Sequence, residues 1–120
     1  MNKALKIALS LTLGLTAQSA FACDYPSRVL IPNGNTATQQ EMVEGQRGVK
    51  QYVADMEIYL TCIVEEEKQA QDAMGELAPE VEQEREDMLN NIYNAAVDEM
   101  ERVAAQFNAE VQAYRAREDS

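Results

Sequence analysis

The chain has 120 residues, with 21 Asp or Glu against ten Lys or Arg and neither histidine nor tryptophan. That length suits one domain. The acidity argues against binding to nucleic acid or anionic lipid, since both rely on cations from the protein. The lack of histidine removes the commonest general base and transition-metal ligand, so no enzyme activity and no cofactor are expected.

Residues 1–22 read as a cleavable secretory signal peptide. Lys3 and Lys6 precede an apolar run from Ile7 to Leu15, and Ala20 and Ala22 put small residues where a signal peptidase reads them. The run is well short of the roughly 20 residues that span a bilayer, so no membrane insertion is expected after cleavage. The expected compartment is the periplasm, with a mature chain starting at Cys23. Both leader lysines are lost and no acidic residue is, so the mature chain carries eight cations against 21 anions. Only six aromatic residues remain, too few for a thick core. Elongated helices packed along a seam, with a crosslink to help, are the easier solution.

Residues 23–38 read as an extended arm with a turn: Pro26, Pro32, the pair Asn33 and Gly34, and the apolar run Val29, Leu30, Ile31. Asn33 and Gly34 also admit a recognition loop, but a turn bringing the arm to a helix cap is the plainer reading. Thr38 followed by Glu41 is a capping-box pattern that starts a helix. Over residues 39–74 the apolar positions Met42, Val49, Tyr52, Val53, Met56, Tyr59, Leu60 and Ile63 recur at helical steps. Gly45 and Gly48 predict a weak or bent first part.

Residues 75–79 hold Gly75 and Pro79, the order of a helix stop and a new start. A second helix is expected over 80–117, with Leu89, Ile92, Ala96, Met100, Val103, Phe107, Val111 and Tyr114 on one stripe. Glu80, Glu82 and Glu84 at its start and Arg115 and Arg117 at its end suit the helix dipole. Residues 118–120 are a tail. Two helices of similar length joined by a short link predict an all-α, coiled-coil-like antiparallel hairpin. Its apolar stripes are wider than one seam can cover. The cover is expected from the arm, from a second copy, or from both.

A bond between Cys23 and Cys62 is the main structural expectation for an exported chain with two cysteines. Cys62 lies about 36 Å along the helix from Thr38, and the arm reaches about 50 Å if extended. The bond would hold Val29, Leu30 and Ile31 over the helical stripe. The rival readings are lipidation of Cys23, which the Ala20, Phe21, Ala22 context suits poorly, and an intermolecular disulfide. Glu80, Glu84 and Asp87, or Asp98 and Glu101, share helix faces that could attract a divalent cation, although a solvated acidic face is far commoner. The five mature methionines read as core filler.

Cys23, Pro26, the run Ile31, Pro32, Asn33, Gly34, then Ala37, Thr38, Glu41, Met42, and finally Tyr59, Leu60 and Cys62 form a pattern similar to that of short secreted proteins of Gram-negative bacteria. The resemblance covers about 40 residues and implies only that the arm and the two cysteines form a unit; no activity comes with it.

The functional expectation is an acidic envelope protein that acts by protein–protein interaction or self-association, with Tyr52, Tyr59, Tyr93, Phe107 and Tyr114 as the candidate interaction face. The alternatives are a cation or small-ligand binder using its carboxylate faces, and an inhibitor or immunity-type binder of a basic partner.

Overall fold

The computed structural model describes residues 23–120. The signal peptide expected at 1–22 lies outside the described residues. The described chain is all-helical: an extended arm, α1 (Gln39–Met74) and α2 (Pro79–Glu118), with the two helices packed against each other as a hairpin. At about 1.5 Å per residue, helices of 36 and 40 residues run about 54 and 60 Å.

The capping box forms at the start of α1. The Glu41 amide donates to Thr38 Oγ1 at 3.1 Å, and the Thr38 amide donates to Glu41 Oε2 at 2.7 Å. The helix stops at Gly75, whose φ of 71° is a conformation that glycine alone adopts without steric cost. α2 begins one residue earlier than its periodicity predicts, because Pro79 takes the first helical position, where a missing amide proton costs nothing. Its cap residue Ala78 offers no side-chain acceptor, and only the Ala78 carbonyl meets the amides of Val81 and Glu82. At the other end α2 also runs one residue further, through Glu118.

The arm is the third element of the core. It runs back along one flank of the hairpin from Thr38 to Cys23, where the Cys23–Cys62 disulfide fastens it to α1 with the Cα atoms 5.7 Å apart. Tyr25 meets Tyr59 edge to face, with ring centroids 5.0 Å apart. Val29 and Ile31 pack against the buried cluster, but Leu30 is 90 % exposed. This corrects the expectation that all three would cover the stripe: an extended chain turns alternate side chains to opposite sides. Gly45 is also not the weak point expected of it. It is buried, and a Cβ there would lie 2.6 Å from the Pro32 ring, so its bareness lets the arm sit down on the helix.

The turn of the arm docks on α2. The Asn33 carbonyl accepts from the amides of Thr36 and Ala37, and the Gly34 amide donates to Glu110 Oε2 at 2.6 Å. Arg117 closes the end by donating to the Ala37 carbonyl at 2.5 Å while stacking 5.0 Å from the centroid of the Tyr114 ring. Among the described residues, all the buried apolar ones, from Met42 to Leu60 on α1 and from Ala96 to Phe107 on α2, together with Ala37, lie in this arm-covered half. Two helices alone bury one narrow stripe each, and the arm adds the third wall that a core needs.

Beyond the disulfide, towards the link, the described residues form the two helices and their connection. There Arg85 reaches across to Glu67, with Nε–Oε1 at 2.8 Å and NH2–Oε2 at 2.9 Å. This bidentate pair, helped by Gln71, holds the Glu67 carboxyl below its usual range.

Candidate interaction surface

The structure divides the five expected interaction residues. Tyr52 and Phe107 are core residues, at 6 % and 8 % exposure, because the arm covers the stripe they sit on. Tyr59 and Tyr114 are half-buried, the first beside Tyr25 and the second beneath Arg117. Tyr93 alone remains exposed. Burial drives the Tyr52 hydroxyl up to about 12, and the neighbouring Tyr25 and Glu99 push in the same direction.

Exposed apolar side chains occur along the described chain, Leu30 and Ile58 among them, and six of them lie in the distal half, past the end of the arm. Val64, Met74, Val81, Met88, Ile92 and Tyr93 are all exposed there, Met88 at 58 %. They fall on two flanks. On the flank that carries the arm, Val81, Met88 and Ile92 border a groove between the helices, floored by Ile63, Ala70 and Leu89, with Glu66, Glu84 and the paired Arg85 and Glu67 also lining it. The groove continues the track of the arm beyond Cys23. On the opposite, open flank, Val64 and Tyr93 meet beside Leu60 in a shallower recess edged by Glu57 and Glu65.

Periodicity did not mark Met88; it marked Ile92 as a stripe residue but could not say that the cover would stop short of it. The length of the arm decides that. In the sequence that length shows only as the count of residues from Thr38 back to Cys23.

Among the described residues, one set of three ligand-bearing side chains converges: Cys23, Cys62 and Glu66, their donor atoms within 4.8 Å of one another. Glu66 Oε2 lies 3.1 Å from Cys23 Sγ. A disulfide sulfur has no proton to give and is not the thiolate that metals take up, so the oxidised pair is not a metal centre. Glu80, Glu84 and Asp87 are exposed on the outer side of α2, and neither they nor Asp98 and Glu101 converge in that way.

These features define a class by architecture: a disulfide-braced helical hairpin whose buried core lies where its arm reaches, with apolar side chains exposed on both flanks beyond it. Compared with protein families, with curated proteins and with solved structures, the chain matches none.

Proposed function

We propose that this is an exported cell-envelope protein that works by binding another protein through the distal half of its hairpin, without catalysis. The observation that carries the reading is the groove past Cys23, where exposed Val81, Met88 and Ile92 lie between Glu66 and Glu84. Contiguous apolar surface rimmed by polar groups is the usual character of a docking site. The occupant that fits is an apolar segment flanked by lysine or arginine, since the rim and the whole chain are acidic. The arm is the precedent for such a ligand, an extended apolar strand lying on the same flank. Export is supported by the leader pattern and by the disulfide, a bond that persists in oxidising compartments. A chain without histidine lacks the usual catalytic base.

The test is a titration of isotope-labelled protein, followed by amide chemical shifts, with a short apolar peptide flanked by lysines and with the same peptide flanked by glutamates. Shifts at Val81, Met88 and Ile92 with the lysine peptide alone, lost in Met88→Glu, are expected. No binding of either peptide, or equal binding of both, rejects the reading. A melting temperature raised by micromolar calcium at fixed ionic strength would favour a cation binder instead.

A further inference from the structure

We infer that the open flank of the hairpin is closed by a second copy of the chain, giving a four-helix bundle whose two-fold axis runs parallel to the helices. This inference concerns the flank opposite the groove proposed above and does not depend on that proposal.

The flank is apolar along its centre; at its edges α1 presents Lys50 and Lys68 together with Glu57 and Glu65, and α2 presents Glu86 and Glu101. On α1 the residues Lys50, Val53, Leu60, Val64 and Lys68 fall on one stripe at helical steps. The facing stripe of α2 carries Glu86, Tyr93, Val97, Glu101 and Ala104. Val64 is 43 % and Tyr93 38 % exposed, they meet in the recess beside Leu60, and the arm lies on the other side. No described residue covers this stripe.

The register of the hairpin is fixed by three cross-connections: Ala37 with Arg117, Gly45 with Phe107, and Glu67 with Arg85. Counting from them, Lys50 lies level with Arg102 and Lys68 level with Glu84. If two open flanks are stacked about an axis parallel to the helices, α1 of each copy rests antiparallel on α2 of the other with its level unchanged. Lys50 then comes beside Glu101 of the second copy, and Lys68 beside its Glu86. Glu57 comes level with Ala95 and meets no carboxylate, while Glu65 comes level with Asp87, one unfavourable approach per copy against two lysine–glutamate ones. An axis across the helices would instead set α1 on α1, lysine edge against lysine edge, and α2 on α2, glutamate against glutamate. The charges therefore select one of the two symmetric stackings and penalise the other. Both stackings place neighbouring helices antiparallel, as in an ordinary four-helix bundle, so the charges alone tell them apart.

The experiment is analytical ultracentrifugation of the oxidised protein as recovered from the producing cell, its amino terminus read by mass spectrometry. A dimer is expected for the native sequence. Tyr93→Glu, at an exposed site, should give a monomer with unchanged helical circular dichroism. Lys50→Glu and Glu101→Lys should each weaken the dimer by about tenfold or more, since each reversal acts at two symmetric contacts and tenfold corresponds to about 1.4 kcal/mol. The double variant Lys50→Glu with Glu101→Lys should restore it. A protein that stays monomeric at hundreds of micromolar overturns the inference. So does a dimer indifferent to Tyr93→Glu, or a double variant weaker than either single one. Each of these results leaves the peptide titration at the opposite flank to be judged on its own.

Discussion

Gly34 sits where its lack of a side chain is a requirement of contact. A Cβ at this position would overlap the Glu110 carbonyl oxygen and lie 2.9 Å from the Tyr114 amide nitrogen, both backbone atoms of α2 that cannot swing aside. Gly34→Ala should therefore cost about 2–4 kcal/mol in urea unfolding, within the range of serious overpacking. The effect should exceed that of Gly45→Ala, where the clash is with a proline ring and a gain of about 1 kcal/mol in helix propensity offsets part of it. Tyr52 supplies a pH signature. Its hydroxyl titrates near 12 in the fold and near 10 in the unfolded chain, so the folded state favours the protonated form. That contribution is whole below about pH 10 and fades as the pH rises towards 12. Unfolding free energy followed from pH 8 to 12 should fall more steeply for the native protein than for Tyr52→Phe; equal slopes would put the titrating group elsewhere. The Asn-Gly pair was legible in the sequence as a turn. Its docking on Glu110 was not, because 76 residues separate the partners and no local pattern marks a tertiary contact of that range.

At the scale of elements, the two helix starts differ in quality. α1 has a complete capping box, whereas α2 opens on Ala78 with no side chain to accept an amide. Ala78→Asp should raise stability by about 1 kcal/mol, by capping the free amides and by placing a negative charge at the positive end of the dipole. Thermal unfolding of the two proteins checks this, and no gain would mean that the added charge is cancelled by repulsion from Glu80 and Glu82. The elements themselves were readable before the structure. Thr38 with Glu41, Gly75 and Pro79 marked the boundaries to within a residue, because capping and stopping are decided by a few neighbouring side chains. Which part of each stripe would be covered was not readable. Periodicity treats Tyr52 and Ile92 alike, and only the reach of the arm separates the buried residue from the exposed one.

For the whole molecule the arm and its bond are what make a core possible. The loop closed by Cys23 and Cys62 spans 39 residues, and by loop-closure entropy the bond is worth about 4 kcal/mol. Treatment with a phosphine reductant, or Cys62→Ser, should lower unfolding free energy by about that amount. The loss should be seen first as exposure of Tyr52 in near-ultraviolet circular dichroism, while the helical signal of the distal pair persists. A change below 1 kcal/mol would mean that the Gly34 and Arg117 contacts hold the arm unaided. The pairing itself was legible from two cysteines behind a leader pattern, and the lengths permitted it, since a stretched arm of that span could reach Cys62. The clamp of Arg117 on the Ala37 carbonyl, across 80 residues, was not.

The same bond also sets an order of events. Both cysteines precede Pro79, and a chain leaves the ribosome amino end first. The ring of arm and α1 lies wholly before α2 in the chain and needs nothing from it to close in an oxidising compartment, and with two cysteines it has a single intramolecular pairing to find. What remains for α2 is a late docking of Glu110 and Arg117 onto a surface already in place. Refolding with the bond intact should accordingly be faster than refolding from the reduced chain, because the slow search that joins distant segments has already been done.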